Sequence, residues 1–256
     1  MTTIDTPAGR WARCYPHQPQ DPALRLFCFP YAGAGASIFK DWQLQPETGV
    51  QLWAMQPPGR ENRMGEPPLR RWEPLLTSYL EAILPLLDRP FALFGHSVGA
   101  LVAFELARLL RLRGGPAPER LFLSAHRAPE LPSKQGPVSH LEEPAFLERL
   151  LEMAGPSPSA IRDPELLSVL APLLRADFEL CENYRYVPGA PLSVPFTCYA
   201  ADDDSEVDPP DVAAWERHTT GGCRLLRFDG GHLFIRDRAP AVLADIAADL
   251  SLSRWM

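Results

Sequence analysis

The stretch Phe91-Ala92-Leu93-Phe94-Gly95-His96-Ser97-Val98-Gly99-Ala100-Leu101-Val102-Ala103-Phe104 decides the fold of this chain. Its first four residues are uniformly apolar, the mark of a strand buried on both faces. From Val98 a helical pattern begins and runs to Leu112, where Gly114-Gly115 closes it. Between strand and helix stands G-x-S-x-G. Small residues flank the serine because so sharp a turn would drive larger side chains into the neighbouring strand and helix. Such a turn holds the Ser97 hydroxyl beyond the carboxyl end of a sheet, with a helix N-terminus behind it. Ser97 is the candidate nucleophile.

Working outward, further strand-like runs stand at Leu24 to Phe29, Val50 to Met55, Arg120 to Ser124, Phe196 to Ala200 and Cys223 to Phe228. Helical patterns lie between them. Trp72 to Leu87 carries an i, i+3/i+4 apolar stripe that Pro85 should bend or end. Others are expected over Pro209 to Arg217 and Pro240 to Leu250. Strands alternating with helices predict an α/β fold with a mostly parallel sheet flanked by helices. One connection is too long for a simple crossover. The segment from about Ala128 to Pro191 contains helix-like stretches at Glu142 to Met153 and Pro164 to Tyr184. It reads as a helical lid inserted within a single domain spanning residues 1–256, which opens with a loose leader.

Composition narrows the function. With 256 residues, 46% hydrophobic and 22% charged, the chain can bury a substantial core. Its net charge is −7 and its lysines are Lys40 and Lys134, so no basic stripe favours nucleic acid. Met1 to Pro22 lacks the apolar region of a signal peptide. No apolar run reaches the roughly 18 residues of a membrane span. The five cysteines form no C-x-x-C pair, which argues against zinc, and Cys28 and Cys198 read as buried free thiols. The expectation is a cytoplasmic protein.

A serine nucleophile needs a base. His232 lies in Asp229-Gly230-Gly231-His232, a glycine-rich loop just after a strand. His17 is in the leader, His140 in the insertion, His126 after a strand and His218 after a polar helix. His96 precedes Ser97 on a turn that should send the two side chains apart, so it reads as structural. The imidazole in turn needs a carboxylate to hold its tautomer. Asp202-Asp203-Asp204 follows a strand between Ser97 and His232, giving the order Ser…Asp…His, but composition does not choose among the three. For an oxyanion hole, one backbone N–H should come from Val98. The other should come from the loop Pro30-Tyr31-Ala32-Gly33-Ala34-Gly35. A nucleotide fingerprint fails there, because its sixth position is Ile38.

With these residues in place, the chain resembles the type II (stand-alone, editing) thioesterases of polyketide synthase and nonribosomal peptide synthetase pathways, within the α/β-hydrolase superfamily. The matching elements are Phe29-Pro-Tyr-Ala-Gly33, Phe39-x-x-Trp42, Pro58-Gly-Arg-Glu61, Gly95-His-Ser97, Trp215 and Gly230-Gly-His232, spread over nearly the whole chain. The resemblance implies Asp204 as the triad acid, with Asp203 the fallback, and Ala32 as the second oxyanion donor. Val98 stands where the family usually has Met, and Leu233 where it usually has Phe. It further implies hydrolysis of acyl thioesters on the phosphopantetheine arm of acyl or peptidyl carrier proteins, with no metal or organic cofactor, by a monomer.

The alternatives are another α/β-hydrolase acting on esters or acyl-CoA, an acyltransferase, or a nonhydrolytic binding protein on the same fold. Two arginine clusters, Arg60, Arg63, Arg70 and Arg71, and Arg108, Arg111 and Arg113, are candidates for docking an acidic carrier. In the insertion, Gly155, Pro156 and Pro158 suggest a joint, so a lid that moves over the acyl channel is expected.

Overall fold

The computed structural model describes residues 8–154 and 163–252. Seven strands form one sheet in the order β1-β3-β2-β4-β5-β6-β7. They are β1 (Ala12–Arg13), β2 (Leu24–Phe29), β3 (Val50–Met55), β4 (Phe91–His96), β5 (Leu121–Ser124), β6 (Phe196–Ala201) and β7 (Cys223–Phe228). Strands β2 to β7 are parallel to their neighbours, while β1 runs antiparallel to β3. This is the architecture the alternating pattern predicts.

The strands sort their side chains by the period of two. Phe27, Phe29 and Leu93 face one core layer, together with helices α2 (Trp72–Ile83) and α3 (Val98–Leu112). Leu26, Cys28 and Phe94 face the other, where Val242, Ile246 and Leu250 of α8 (Ala239–Leu252) cover them. Burying one such aromatic or branched side chain contributes about 1.5–3 kcal/mol. Cys28 and Cys198 are free and fully buried, as expected. Pro85 acts as anticipated: α2 ends at Ile83 and a 3-10 turn, Leu84–Leu86, carries the proline. At the end of α3, Gly114 takes φ 67° and Gly115 N–H returns to the Leu110 carbonyl at 2.9 Å.

The leader departs from expectation. Helix α1 (Ala8–Trp11) and β1 are ordered against the body rather than loose. Trp11 packs edge-on to Tyr79 with ring centroids 5.2 Å apart, and the Arg63 guanidinium lies 4.3 Å over its ring. Two strand residues carry no readable alternation, so tertiary contacts define this element.

Between β5 and β6 the insertion supplies α4 (Glu143–Ala154) and α5 (Pro164–Glu182). Asp163 caps α5, accepting from Glu165 N–H at 2.9 Å. Phe146 and Phe178 meet edge to face, and Val138, Phe146, Leu150 and Ala171 form a small apolar cluster apart from the main core. The candidate joint at Gly155, Pro156 and Pro158 lies outside the described residues. Beyond β6, the helix expected over 209–217 is α-helical in α6 (Pro209–Ala213) and tightens to a 3-10 turn through His218. A short α7 (Phe234–Asp237) precedes α8. Among the described residues, no helix is long and apolar enough to cross a membrane.

Candidate active site

Ser97 sits at φ 55°, ψ −124°, outside the regions open to most side chains, a strain of about 1–3 kcal/mol held by its surroundings. Those surroundings explain the glycines. A Cβ on Gly95 would overlap the Gly99 carbonyl, and one on Gly99 would overlap the Phe29 carbonyl. Ser97 N–H donates to the Ser124 carbonyl at 2.8 Å, tying the turn to β5.

His232 Nε2 lies 3.0 Å from Ser97 Oγ. Its Nδ1 lies 2.9 Å from Asp204 Oδ2 and 3.1 Å from Oδ1. A carboxylate only accepts, so Nδ1 carries the proton and Nε2 presents its lone pair to the serine hydroxyl. The Asp204 side chain is 1% exposed, and its Oδ1 also accepts from Glu206 and Val207 N–H at 2.8 and 3.2 Å. Burial works against its charge. Nevertheless His232 and these amides hold its carboxyl below the usual value. For His232, burial disfavours the imidazolium, but Asp204 and Glu206 outweigh it and raise the imidazole above its ordinary value.

The structure separates the three consecutive acids. Asp202 pairs with Arg227 at 2.7 Å, Asp203 is exposed, and Asp204 alone of the three reaches His232. His96 points away from Ser97, as the turn demands. It bridges Ser124 Oγ and the His232 carbonyl, each at 2.8 Å. Complete burial, helped by the nearby His232, lowers His96 to about 3, so it stays neutral and can donate to that carbonyl. The sequence reading gave His126 no role. It is buried beside the site and likewise lowered to about 3 by burial and Arg127, and its carbonyl accepts from Trp215 Nε1 at 2.7 Å.

Ala32 and Val98 border the same cavity as Ser97 and His232. Among the described residues, neither amide N–H has a hydrogen-bond acceptor. The cavity measures about 1040 Å³, at the upper end of small-molecule sites. Lid residues Leu150, Leu167, Leu174 and Phe178 supply apolar wall to the same cavity.

As docking candidates Arg60 and Arg63 need correction, whereas Arg70, Arg71, Arg111 and Arg113 are exposed. Arg60 and Arg63 are each 6% exposed. Arg60 pairs with Asp177 at 2.9 Å, and Arg63 with Glu66 at 2.7 Å and the Gln56 carbonyl at 2.8 Å. Arg108 and Arg111 donate to the carbonyls of Val187, Ala190 and Pro191, holding the return from the lid. Arg60 and Arg63 turn inward because their heads find fixed acceptors there. Asp177 escapes the sequence reading. Its one signal is an acid on the buried stripe of α5 formed by Leu173, Ala176 and Leu180.

Comparison with known proteins agrees with this geometry. A family model described as "Thioesterase domain" matches residues 24–250. The gramicidin S biosynthesis protein GrsT of Aneurinibacillus migulanus is 37% identical over 212 residues, covering 83% of each chain. Thioesterase PikA5 of Streptomyces venezuelae is 36% identical over 252 residues, 98% of this chain and 89% of that one. Among solved structures, the type II thioesterase BorB from the borrelidin biosynthetic cluster superposes with a TM-score of 0.84 at 33% identity. That match covers 94% of this chain and 97% of BorB. A strained serine on a strand-to-helix turn, in a matched region that takes in the whole sheet from β2 onward, places this chain in the thioesterase family.

Proposed function

We propose that this protein hydrolyses acyl thioesters held on the phosphopantetheine arm of acyl or peptidyl carrier proteins, removing aberrant or stalled acyl groups in a polyketide or nonribosomal peptide pathway. The observation that carries the reading is the unbroken chain Ser97–His232–Asp204, whose serine and histidine line a cavity of about 1040 Å³ with an apolar wall. The biosynthetic setting is supported by the names of relatives that match nearly end to end.

Ser97 Oγ attacks the thioester carbonyl as His232 Nε2 takes its proton. The carbonyl oxygen becomes an oxyanion that the N–H groups of Ala32 and Val98 receive. Asp204 stabilises the imidazolium. The C–S bond then breaks, and the thiolate leaves as a thiol with the proton from His232. Water attacks the acyl-serine by the reverse sequence, releasing the acid and restoring Ser97. The balance is thioester plus water to acid plus thiol, so the reaction calls for no metal or organic cofactor. The proposed setting is the cytoplasm, where a carrier's thiol stays reduced, with the protein acting as a monomer on a carrier partner.

The test is side-by-side hydrolysis of an acyl-carrier protein, the matching acyl-CoA and a p-nitrophenyl ester, by wild type and Ser97→Ala. The expected result is a higher kcat/KM on the carrier and no turnover above background in the variant. Preference for the oxygen ester would move the reading to a general esterase. A chain that never labels with a fluorophosphonate would be a binding protein.

A further inference from the structure

The loop proposed to donate to the oxyanion is gripped by the lid. Gly33 follows Ala32, and its N–H donates to Asp177 Oδ2 of α5 at 2.7 Å. The other carboxylate oxygen, Asp177 Oδ1, accepts from Arg60 Nη2 at 2.9 Å, and Arg60 Nη1 donates to the Ala34 carbonyl at 3.2 Å. One acid–arginine pair therefore clasps the loop at the residues immediately after Ala32. Packing repeats the arrangement. Gly33 takes φ 79°, and a Cβ there would overlap Leu174 Cδ2, one turn of α5 before Asp177. From the opposite side, Gln56 Oε1 accepts from Ala36 N–H at 2.6 Å and Glu61 Oε1 from Ser37 N–H at 3.0 Å. The far half of the loop is thus fixed to the segment after β3, whereas the half next to Ala32 is held jointly by Arg60 of that segment and by Asp177 of the lid.

From this we propose that Asp177, paired with Arg60, is a positioning residue that aims the Ala32 N–H at the oxyanion, so that the seating of lid helix α5 completes the oxyanion hole. The buried pair stands more than 100 residues apart in sequence. Both partners lie under 10% exposed, where a carboxylate is retained only when its acceptor sites are filled. Here a guanidinium and a backbone amide of the loop fill them. The fixed direction of that peptide limits the orientation of the one before it, because φ and ψ at a single residue are all that separate them. An oxyanion donor is worth having only if it is in place before charge develops. The inference rests on the hydrolase reading of the preceding section, and its test is arranged to fail separately.

Asp177→Ala and Asp177→Asn are assayed on a short acyl thioester of N-acetylcysteamine, which needs no carrier docking. Glu179→Gln, which removes the exposed pair with Arg70 from the same helix, serves as the control. The expected loss in kcat for Asp177→Ala is on the order of 10²-fold, near that for removing one oxyanion donor, with KM changed less than threefold. Affinity for a trifluoromethyl ketone, which Ser97 converts to a tetrahedral oxyanion, should fall in parallel. Affinity for the product acid should hold. Asp177→Asn keeps an oxygen for Gly33 N–H and should recover part of the loss, while Glu179→Gln should match wild type. Should Asp177→Ala not fold, the asparagine variant decides: a several-fold drop in kcat with the same ketone-to-acid signature supports the proposal. Folded variants with wild-type kcat overturn it, as does equal weakening of ketone and acid. If wild type itself shows no Ser97-dependent hydrolysis, the functional reading fails instead.

Discussion

Helix α3 and the helix pair α4–α5 approach the same serine and are held in opposite ways. Ten of the fifteen residues of α3 are buried, and Phe104 packs edge to face with both Phe196 and Trp215. Its attachment is apolar area, which is strong, undirected and insensitive to small shifts. The lid pair shares a small apolar cluster and touches the site loops largely through charged side chains. Arg149 of α4 reaches Glu206 at 3.2 Å, two residues from Asp204, and Asp177 of α5 holds Gly33 and Arg60. Such contacts depend on the placement of a few atoms. The difference teaches that Ser97 is built into the body of the sheet, whereas the loops carrying the proposed acid and oxyanion donor make direct polar contact with the lid.

The largest expected effect falls on a loop that the lid touches. Asp204→Asn should lower kcat by about 10⁴, by analogy with other triads, because the imidazole then loses its anchor and preferred tautomer. Asp203→Asn should stay close to wild type. A crippled Asp203 variant beside an active Asp204 variant would move the acid's role to Asp203. Next comes stability. Phe104→Ala, in the main core, should cost about 3–5 kcal/mol in denaturant unfolding. Phe146→Ala, equally buried but in the lid cluster, should cost the global transition less and appear as local opening. Equal losses would mean that lid and body unfold as one unit, erasing the contrast.

Hydrogen exchange sharpens the comparison further. Amides of α4 should exchange faster than those of α3, with the C-terminal half of α5 in between. That half is pinned by Trp72 Nε1 donating to the Leu180 carbonyl at 2.7 Å and, just past the helix end, by Tyr184 donating to Glu105 at 2.6 Å. A nonhydrolysable acyl-pantetheine should slow α4. Protection equal to α3, indifferent to that ligand, would make the lid a rigid cap. The remaining predictions are in pH. His232 must be neutral to accept a proton, and its value is raised, so the acid limb of kcat/KM should lie above the ordinary imidazole value near 6.5. His96 and His126 are lowered to about 3 by burial, so between roughly pH 6.5 and 3 the unfolded chain binds protons that the folded chain refuses. Stability should therefore decline as pH falls through that window. A flat Tm from pH 7 to 5 would count against their burial as neutral rings.

Much of the site is legible along the chain because the relevant physics is local. A uniformly apolar run, a glycine-flanked serine and a helical stripe can be read in order, and β4, the Ser97 turn and α3 stand where those signals place them. His232 is legible for a similar reason, being a histidine on a glycine-rich loop after a strand. The arginines mislead because sequence shows a charge but not its direction. Arg60 and Arg63 look like surface and are buried: Asp177 from the distant helix α5 receives Arg60, and a fold-back of its own segment brings the Gln56 carbonyl and Glu66 to Arg63.

What the sequence determined by itself, then, is the alternation of strands and helices, the nucleophile's turn and the long insertion. Each follows from propensity, periodicity and steric limits acting over a few residues. Composition left open which of three adjacent aspartates faces His232; the resemblance pointed to Asp204, and the tertiary structure brought that one into contact. It also ordered the leader as β1 and brought Asp177 onto Gly33, 144 residues away in sequence. Those outcomes depend on where distant segments meet once the sheet is assembled. A hydrogen bond is satisfied by position in space, and no local pattern records which partner will arrive.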